Sequence, residues 1–510
     1  MILQLFPKRP DHLLADSKEM KRVLADLLVA KAANAIDEMM NWFESLKDAK
    51  DFRLGHYFDI IRQLDEAGQP HLIRLARDYL PSTNLPLAEE QRLWTKISRY
   101  WSEIAGLYAA CLERAQLDPK GKGVDAFKPS MPLAAARAQA ARRIQVKWLA
   151  FHYGPIDEGL WRTMGQAYLA AEAAGYAQKL LQIYPAQRGL TSVAQQYLHA
   201  IVLFTSSMDS LLPGQIEIVD RLITHFLPRF VLAADCRPDS VYWVDAAAGS
   251  VPARLALSPG LARPGLRFFS PGAALAQAEE LIKLVERGDV PADINLGGDF
   301  PPNVLLPVLR HLRVYWTVQA PQRRHQRHPV KTKMAVLHGF DASYRVFSGA
   351  LPGLDANRED EVWLVENVSL GGFRACLRHS PGDPLTLGTL LCLQPEGGDN
   401  WLLGVVRRFN RLSGEHASLG IQLLSRQAQS IELRPRRSGF AAVIGLPGIW
   451  LRDGSGSGLV RLLLPQGGFN LRESLEFNSA GQRHMLVPAE LEESGGDYEI
   501  GRFHNPTATA

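Results

Sequence analysis

The sequence predicts a multidomain α+β chain in four parts: a helical N-terminal region (1–225), a small α/β segment (226–320), a small antiparallel β-barrel (321–430) and a further β-rich domain (431–510). Apolar residues recur at helical spacing through the first part. Short alternating strands separated by turn residues dominate from residue 330 onward. The length of 510 residues exceeds what one hydrophobic core normally organises, so several domains are expected.

The first predicted helix begins after Asp16, which can cap its N-terminus, with Glu19 three residues later. An apolar stripe at helical spacing follows: Met20, Val23, Leu24, Leu27 and Leu28. Alanine-rich segments at 132–146 and 161–183 extend the helical pattern. Breaks are expected at 81–84, 118–123 and 153–155, where turn-forming residues cluster.

Two segments of the helical region share a spacing of aromatic and small residues. They are Trp101-x-x-Ile104-Ala105-x-x-Tyr108 and Trp161-x-x-Met164-Gly165-x-x-Tyr168. Each resembles the first helix of a tetratricopeptide repeat, and Ala177 and Leu181 fit that repeat's later positions. However, the copies lie about 60 residues apart, whereas the repeat has a period of about 34. Two interpretations stay open: an aromatic stripe that is simply core, or helical hairpins that hold a partner.

The middle segment mixes strands and helices. Short strands are predicted at 230–233 and 241–244, around a turn at 237–240. A helix follows that ends at Gly288, with one apolar face formed by Leu275, Ala278, Ile282 and Val285. A last helix is expected to begin near Pro307, a residue that suits a first turn, and its apolar face contains Val308, Leu309, Leu312, Tyr315 and Trp316.

Strands dominate the rest of the chain. They are predicted at 330–336, 362–365, 373–377, 387–393, 402–406 and 419–424, a spacing typical of a small antiparallel barrel. Further strands at 441–446, 459–464 and 485–488 form either a second barrel or an extension of the first. The Gly-Ser run at 454–458 is interpreted as a flexible turn, because it lacks the strand and helix that flank a dinucleotide-binding fingerprint.

Bulk properties exclude several classes of protein. The net charge of +4 is too small for general binding to nucleic acid polymers, so any basic function must be local. Cys111, Cys236, Cys376 and Cys392 form no CxxC pair, which predicts small buried side chains in a reducing compartment. The sequence has no apolar stretch of about 18 residues and no signal-peptide pattern at its start, so we expect a cytoplasmic chain without a membrane span. No catalytic motif stands out; we expect no enzyme, although the 226–320 segment leaves one open.

Two polar motifs carry the functional hypothesis. Arg323, Arg324 and Arg327 lie on a short linker before the predicted barrel, and Asn367-x-Ser369-x-x-Gly372 follows a predicted strand. A guanidinium binds phosphate in a bidentate manner, pairs with guanine O6 and N7, and stacks on a base. An amide can read a base edge, a hydroxyl can donate to phosphate or base, and a glycine permits close backbone approach. Together they predict a pocket for an anion that carries base edges.

Residues 321–428 resemble the PilZ domain, a bacterial receptor module for cyclic di-GMP. Arg323-x-x-x-Arg327 matches the family's RxxxR motif, and Asn367-x-Ser369-x-x-Gly372 matches its [D/N]xSxxG motif. The stretch 419–423 is similar to the family's late strand. The resemblance implies that Arg323 and Arg327, with Arg324 between them, bind phosphate and guanine while Asn367 and Ser369 read the base. It also implies that the ligand often binds as an intercalated pair.

The expected function is therefore that of a second-messenger receptor whose ligand is cyclic di-GMP, without a cofactor. The free linker over 319–330 is expected to be mobile, and the bound ligand to order it and change the surface offered to a partner protein through the helical region. Self-association is left open. The alternatives are a PilZ-fold scaffold that acts without ligand and an RNA-binding module. His325 and His328 are interpreted as incidental rather than as a metal site. Arg407 and Arg408 lie on a predicted barrel strand and are interpreted as a solvent-facing edge, with a contribution to the ligand surface as the alternative.

Overall fold

The computed structural model describes residues 11–49, 51–80, 85–187, 189–256, 260, 263–292, 294, 296–319, 325–350, 362–379, 385–435, 445–453, 459–479 and 481–505. The chain forms two compact units, one of residues 1–208 and 212–321, the other of 209–211 and 322–510. A helical N-terminal region precedes antiparallel barrels, so the predicted fold class is confirmed. The finer division of the chain into four domains stays a prediction.

The N-terminal part of the first unit is helical. Its α-helices are α1 (Ser17–Val29), α2 (Ala32–Lys47), α3 (Leu54–Tyr79), α4 (Leu87–Leu117), α5 (Val124–Phe127), α6 (Met131–Phe151), α7 (Glu158–Ala173), α8 (Val193–Thr205) and α9 (Pro213–Phe226). The predicted cap is present, since the Asp16 carboxylate accepts a hydrogen bond from Lys18 N at 2.8 Å. The predicted stripe is narrower than expected, because Leu28 is 69% exposed.

The segment 161–183 is only partly helical, contrary to the prediction. Helix α7 ends at Ala173, and Gly175 adopts a φ of 75°, a left-handed conformation that stops a helix. The described residues of 174–192 contain a single bridge, between Leu181 and Thr191, and no helix. The next helix, α8, begins only at Val193, later than the second helix of a tetratricopeptide repeat would begin, and the aromatic stripe is buried core.

A buried acid connects several helices of this unit. Asp65 on α3 is fully buried and accepts hydrogen bonds from the hydroxyls of Tyr100 at 3.1 Å, Tyr108 at 2.7 Å and Tyr184 at 3.0 Å. Arg137 on α6 donates to Tyr108 and to the Ile183 carbonyl, so the loop after α7 is tied to the same cluster. Burial raises the pKa of Asp65, against the opposing effects of the Arg137 charge and the three hydroxyls.

The rest of the first unit is a four-stranded sheet with two helices. Its strands are β1 (Val231–Ala233), β2 (Tyr242–Asp245), β3 (Ala253–Arg254) and β4 (Leu266–Ser270), and its helices are α10 (Ala273–Glu286) and α11 (Pro302–Trp316). The order is β1-β4-β2-β3, so the first two strands do not pair as the predicted turn implied. Helix α11 begins at Pro302, and Pro307 lies inside it rather than at its start.

Several expectations about side chains can be compared with the described residues. Cys111 and Cys392 are buried and Cys376 is half-buried, but Cys236 is exposed, so the prediction that all four are buried is wrong. Across the described ranges, no helix is both long and apolar enough to cross a membrane. Nor do three or more histidine, cysteine or acidic side chains meet there in a group that could hold a metal ion.

A closed six-stranded barrel begins the second unit. Its strands are β5 (His328–His338), β6 (Val362–Ser369), β7 (Gly372–Arg378), β8 (Leu390–Pro395), β9 (Leu402–Arg411) and β10 (His416–Ser425), in the cyclic order β10-β7-β6-β5-β8-β9. Helix α12 (Phe340–Phe347) follows β5. Alternating side chains such as Trp363 and Val365 fill the barrel, which explains why the sequence pattern predicted these strands.

A second closed barrel follows. Its strands are β11 (Ala428–Pro435), β12 (Leu446–Leu451), β13 (Leu459–Pro465), β14 (Leu475–Ser479), β15 (Gln482–Ser494) and β16 (Tyr498–His504), in the order β11-β12-β13-β16-β15-β14. If the strands of each barrel are numbered from one to six, both barrels have the same six antiparallel pairings. The barrels share one apolar core, formed by Phe340, Leu390, Cys392, Leu403, Val405, Leu424, Ile449, Leu451, Leu463, Tyr498 and Ile500.

Candidate functional site

The linker reaches the first barrel beside the hairpin that joins β6 to β7. Arg323 and Arg324 lie outside the described residues, whereas Arg327 is described, exposed and directly followed by β5. The His325 ring lies against the hairpin, since a Cβ on Gly371 would stand 3.3 Å from His325 Cδ2. This contact brings the described end of the linker, at His325, to the end of the barrel that carries the Asn-x-Ser-x-x-Gly motif.

A register shift in β6 turns Asn367 outward. Val365 pairs with Ala375 of β7, but Asn367 pairs with Arg374, so Glu366 is an extra residue in β6. In an unbroken strand Asn367 would share the face of Val365, which is fully buried inside the barrel. The bulge instead places Asn367 beside Arg374, whose side chain is exposed.

Asn367 retains an unused acceptor. Its Oδ1 atom is buried and has no hydrogen-bond partner among the described residues. The opposite residue on β5 is Pro329, which has no backbone N–H to donate. A buried amide oxygen without a donor is costly, on the order of 1–3 kcal/mol, and a ligand N–H at this position would satisfy it.

Ser369 and Gly372 form the turn of the hairpin. Ser369 pairs with Gly372, and its Oγ donates to the Gly372 carbonyl at 3.0 Å, which leaves the hydroxyl oxygen as an acceptor. A Cβ on Gly372 would stand 2.0 Å from the Ile421 carbonyl oxygen, so only glycine allows β7 and β10 to approach as they do. The motif therefore combines a fixed turn with one unsatisfied acceptor.

Two family models match the chain. The model of the N-terminal domain of the cyclic-di-GMP receptor FimW matches residues 18–238, and the model of its middle PilZ domain matches residues 355–430. Together they cover more than half of the sequence. The chain belongs to the PilZ-domain cyclic di-GMP receptors.

The predicted resemblance is therefore confirmed, and the first barrel is called the PilZ barrel below. Asn367, Ser369 and Gly372 fall within the matched stretch, while the linker arginines precede it. No curated protein and no solved structure matches the chain.

One guanidinium near the PilZ site was not anticipated from the sequence. Arg374 lies opposite Asn367, donates from Nε to Ser418 Oγ at 2.7 Å, and forms an ion pair with Glu366 at 3.1 Å. The bulge places this pair beside Asn367, and Arg374 offsets the negative charge of Glu366 there. The sequence feature that could have identified Arg374 is its position two residues after Gly372, on the outward face of a predicted strand.

Arg407, expected on a solvent-facing edge, is instead bound to the second barrel. Its Nε donates to Gln422 Oε1 at 2.7 Å, and its two terminal nitrogens donate to the two carboxylate oxygens of Glu493, one of them at 2.8 Å. Tyr498 also donates to Glu493, at 2.6 Å. Burial would raise the pKa of Glu493, but the hydrogen bonds from Arg407 and Tyr498 and the Arg407 charge lower it.

Proposed function

We propose that cyclic di-GMP binds the PilZ barrel at the β6–β7 hairpin. The residues that would hold it are Arg323, Arg324, Arg327, Asn367, Ser369 and Gly372. The observation that carries this proposal is the buried Oδ1 of Asn367, which has no donor among the described residues and lies in a hairpin that His325 of the linker contacts. Such an acceptor lacks a hydrogen bond until a ligand N–H reaches it.

The Oδ1 atom of Asn367 also indicates why the bound base would be guanine. The exocyclic amino group on C2 of guanine and the adjacent ring N–H are donors, and adenine carries no amino group at that position. Asn367 Oδ1 would accept from this edge, while the linker guanidiniums bind the two phosphodiesters or stack on the bases. A cyclic diadenylate offers the same charge without these donors, so selectivity would come from Asn367 and affinity largely from the arginines.

The position of the arginine motif supports a conformational output. The first compact unit ends at Pro321, and the long segment of the second unit begins at Gln322, immediately before Arg323. The upstream end is anchored, because the indole of Trp316 is fully buried and donates to Ser206 Oγ at 3.0 Å. A ligand that draws the linker arginines onto the PilZ barrel would therefore fix the segment joining the units, and the resulting surface would recruit a partner protein through the helical region.

Base reading is tested by titrating the full chain with cyclic di-GMP and cyclic di-AMP in a calorimeter. We expect Asn367→Ala to weaken cyclic di-GMP binding about tenfold or more, and Asn367→Asp to retain binding, since a carboxylate also accepts. Asn478→Ala is a matched control, because Asn478 is exposed on the second barrel. Equal affinity of wild type and Asn367→Ala would contradict the assigned role, as would equal affinity for both dinucleotides.

The conformational output is tested separately. Hydrogen exchange of the linker peptides should slow when cyclic di-GMP is added to the wild-type chain, but not when it is added to Arg327→Ala. Pull-downs with and without the messenger should recover different partners. Identical partners together with unchanged exchange would favour the alternative of a scaffold that works without ligand.

A further inference from the structure

The second barrel carries a sequence like the ligand motif at the equivalent place. In the PilZ barrel, Asn367-x-Ser369-x-x-Gly372 spans the end of the second strand and the start of the third. In the second barrel, Asp453-x-Ser455-x-x-Gly458 lies between its own second and third strands, β12 and β13. Asp453 is described by the structure, and residues 454–458 are outside the described ranges.

Asp453 differs from Asn367 in how its oxygens are used. Its Oδ1 accepts from Ser425 Oγ at 3.1 Å and from Gln427 N at 2.9 Å, and its Oδ2 accepts from Arg426 N. The carboxylate is thus fully engaged in holding the bend between β10 and β11. Whereas Asn367 has an acceptor without a donor, Asp453 fixes the direction in which the Arg426 side chain leaves the bend.

The Arg426 side chain reaches back to the PilZ barrel. Its Nη2 donates to the Leu370 carbonyl at 2.8 Å, at the tip of the β6–β7 hairpin. The neighbouring residue, Gly371, is the one that His325 of the linker contacts. Arg426 is exposed, and among the described residues its Nε and Nη1 groups have no hydrogen-bond partner, so they can make a second contact.

The position of Arg426 in the second barrel corresponds to that of Arg327 in the PilZ barrel. Arg426 lies just before the first strand of the second barrel, which begins at Ala428. Arg327 lies just before the first strand of the PilZ barrel, which begins at His328. The repeated topology thus places an arginine before the first strand of each barrel. The Arg426 side chain contacts the β6–β7 hairpin, and Arg327 precedes His328, which pairs with Val368 of the same hairpin.

We propose that Arg426 is a further arginine of the cyclic di-GMP site, supplied by the second barrel. One of its nitrogens braces the hairpin at Leu370, and the others bind a phosphate of the ligand. This inference rests on the proposed function of the PilZ barrel. The second barrel shares an apolar core with the PilZ barrel, and its Asp453 carboxylate holds the backbone N–H of Arg426 in place.

The test is a titration of the full chain with cyclic di-GMP at low and at physiological salt. We expect Arg426→Ala to weaken binding about tenfold, Arg426→Lys to recover part of the loss through its charge, and Arg426→Gln to bind weakly with a smaller salt dependence. Asp453→Asn should weaken binding less, because Arg426 keeps its charge but loses its fixed orientation. Arg434→Ala is the control, since that exposed arginine of β11 pairs only at the surface with Glu432.

The outcomes separate the two proposals. Affinity of Arg426→Ala within twofold of wild type overturns the inference. The inference is also overturned if Arg426→Lys binds no better than Arg426→Ala, because that result is expected if Arg426 contacts only the Leu370 carbonyl and no phosphate. Unfolding curves without ligand show whether the variants fold. A wild-type chain that binds and depends on Arg327 but not on Arg426 removes this inference alone, whereas a wild-type chain that does not bind removes the proposed function as well.

Discussion

Gly372 lies so close to Ile421 that a Cβ on the glycine would stand 2.0 Å from the isoleucine carbonyl oxygen. Across β7 and β10, Gly372 pairs with Gln422, and the neighbouring Phe373 pairs with Ile421. The last residue of the ligand motif is therefore a packing requirement of the barrel itself. Its φ of +149° adds a backbone conformation that other residues rarely adopt.

Replacing this glycine should damage stability as well as binding. We expect Gly372→Ala to lower the free energy of unfolding of the second unit by about 3 kcal/mol, because β7 and β10 must separate or the hairpin must distort. Urea denaturation measures this change. Gly414→Ala is the control: nothing lies within 4 Å of a Cβ there, so stability should be unchanged or slightly higher. Equal stability of wild type and Gly372→Ala would contradict the close approach.

The ion pair between Arg407 and Glu493 should make the second unit sensitive to acid. Because the folded pKa of Glu493 lies below its unfolded value of 4.5, the pair stabilises the fold fully above that pH and progressively less as the pH falls through the folded pKa. We expect Glu493→Gln to be less stable than wild type at neutral pH. The difference in unfolding free energy should shrink below about pH 4.5.

Denaturation at several pH values, with matched variants, tests this account of the two barrels. Glu432→Gln removes an exposed ion pair with Arg434 and should change stability by at most about 0.5 kcal/mol. A double-mutant cycle of Arg407→Met and Glu493→Gln should give a coupling energy of about 1 kcal/mol or more. A coupling near zero would show that the contact does not join the barrels energetically.

A buried charge cluster should dominate the stability of the helical region. Asp220 on α9 is buried and accepts from Arg143 at 2.7 Å and Lys147 at 2.9 Å, both on α6. We expect Asp220→Asn to destabilise the first unit by about 3 kcal/mol, because two partly buried cations lose their shared anion. Asp125→Asn, which breaks an exposed pair with Lys128, should cost at most about 0.5 kcal/mol. Similar costs for both variants in thermal unfolding would refute the role of the cluster.

Strand positions and the ligand motifs could be predicted from the sequence because both depend on local patterns. Alternating apolar residues such as Met334 and Val336 identified β5, and the spacing of Asn367, Ser369 and Gly372 matched the PilZ motif. The bulge at Glu366 could not be predicted in this way. It depends on how β6 registers with its neighbours, and it decides whether Asn367 faces the core or the outside of the barrel.

Features that join distant segments were also beyond sequence reasoning. In the sheet of the middle segment, β4 lies between β1 and β2. The local sequence pattern predicted only a turn between these two strands. The start of α11 was misplaced because Pro302 and Pro307 both suit a first turn, and only packing distinguishes them. The contact of Arg426 with Leu370 joins residues far apart in sequence, and the bend that creates it is fixed by Asp453 from a later strand.

The measurement that tests the central claim most directly is calorimetric titration of the full chain with cyclic di-GMP, comparing wild type with Arg323→Ala and Arg327→Ala. The account predicts that wild type binds at micromolar or lower concentration, that each substitution abolishes binding or weakens it by a hundredfold or more, about 2.7 kcal/mol, and that Arg434→Ala binds as wild type. A wild-type chain that releases no binding heat, or linker variants that bind as tightly as wild type, would contradict it.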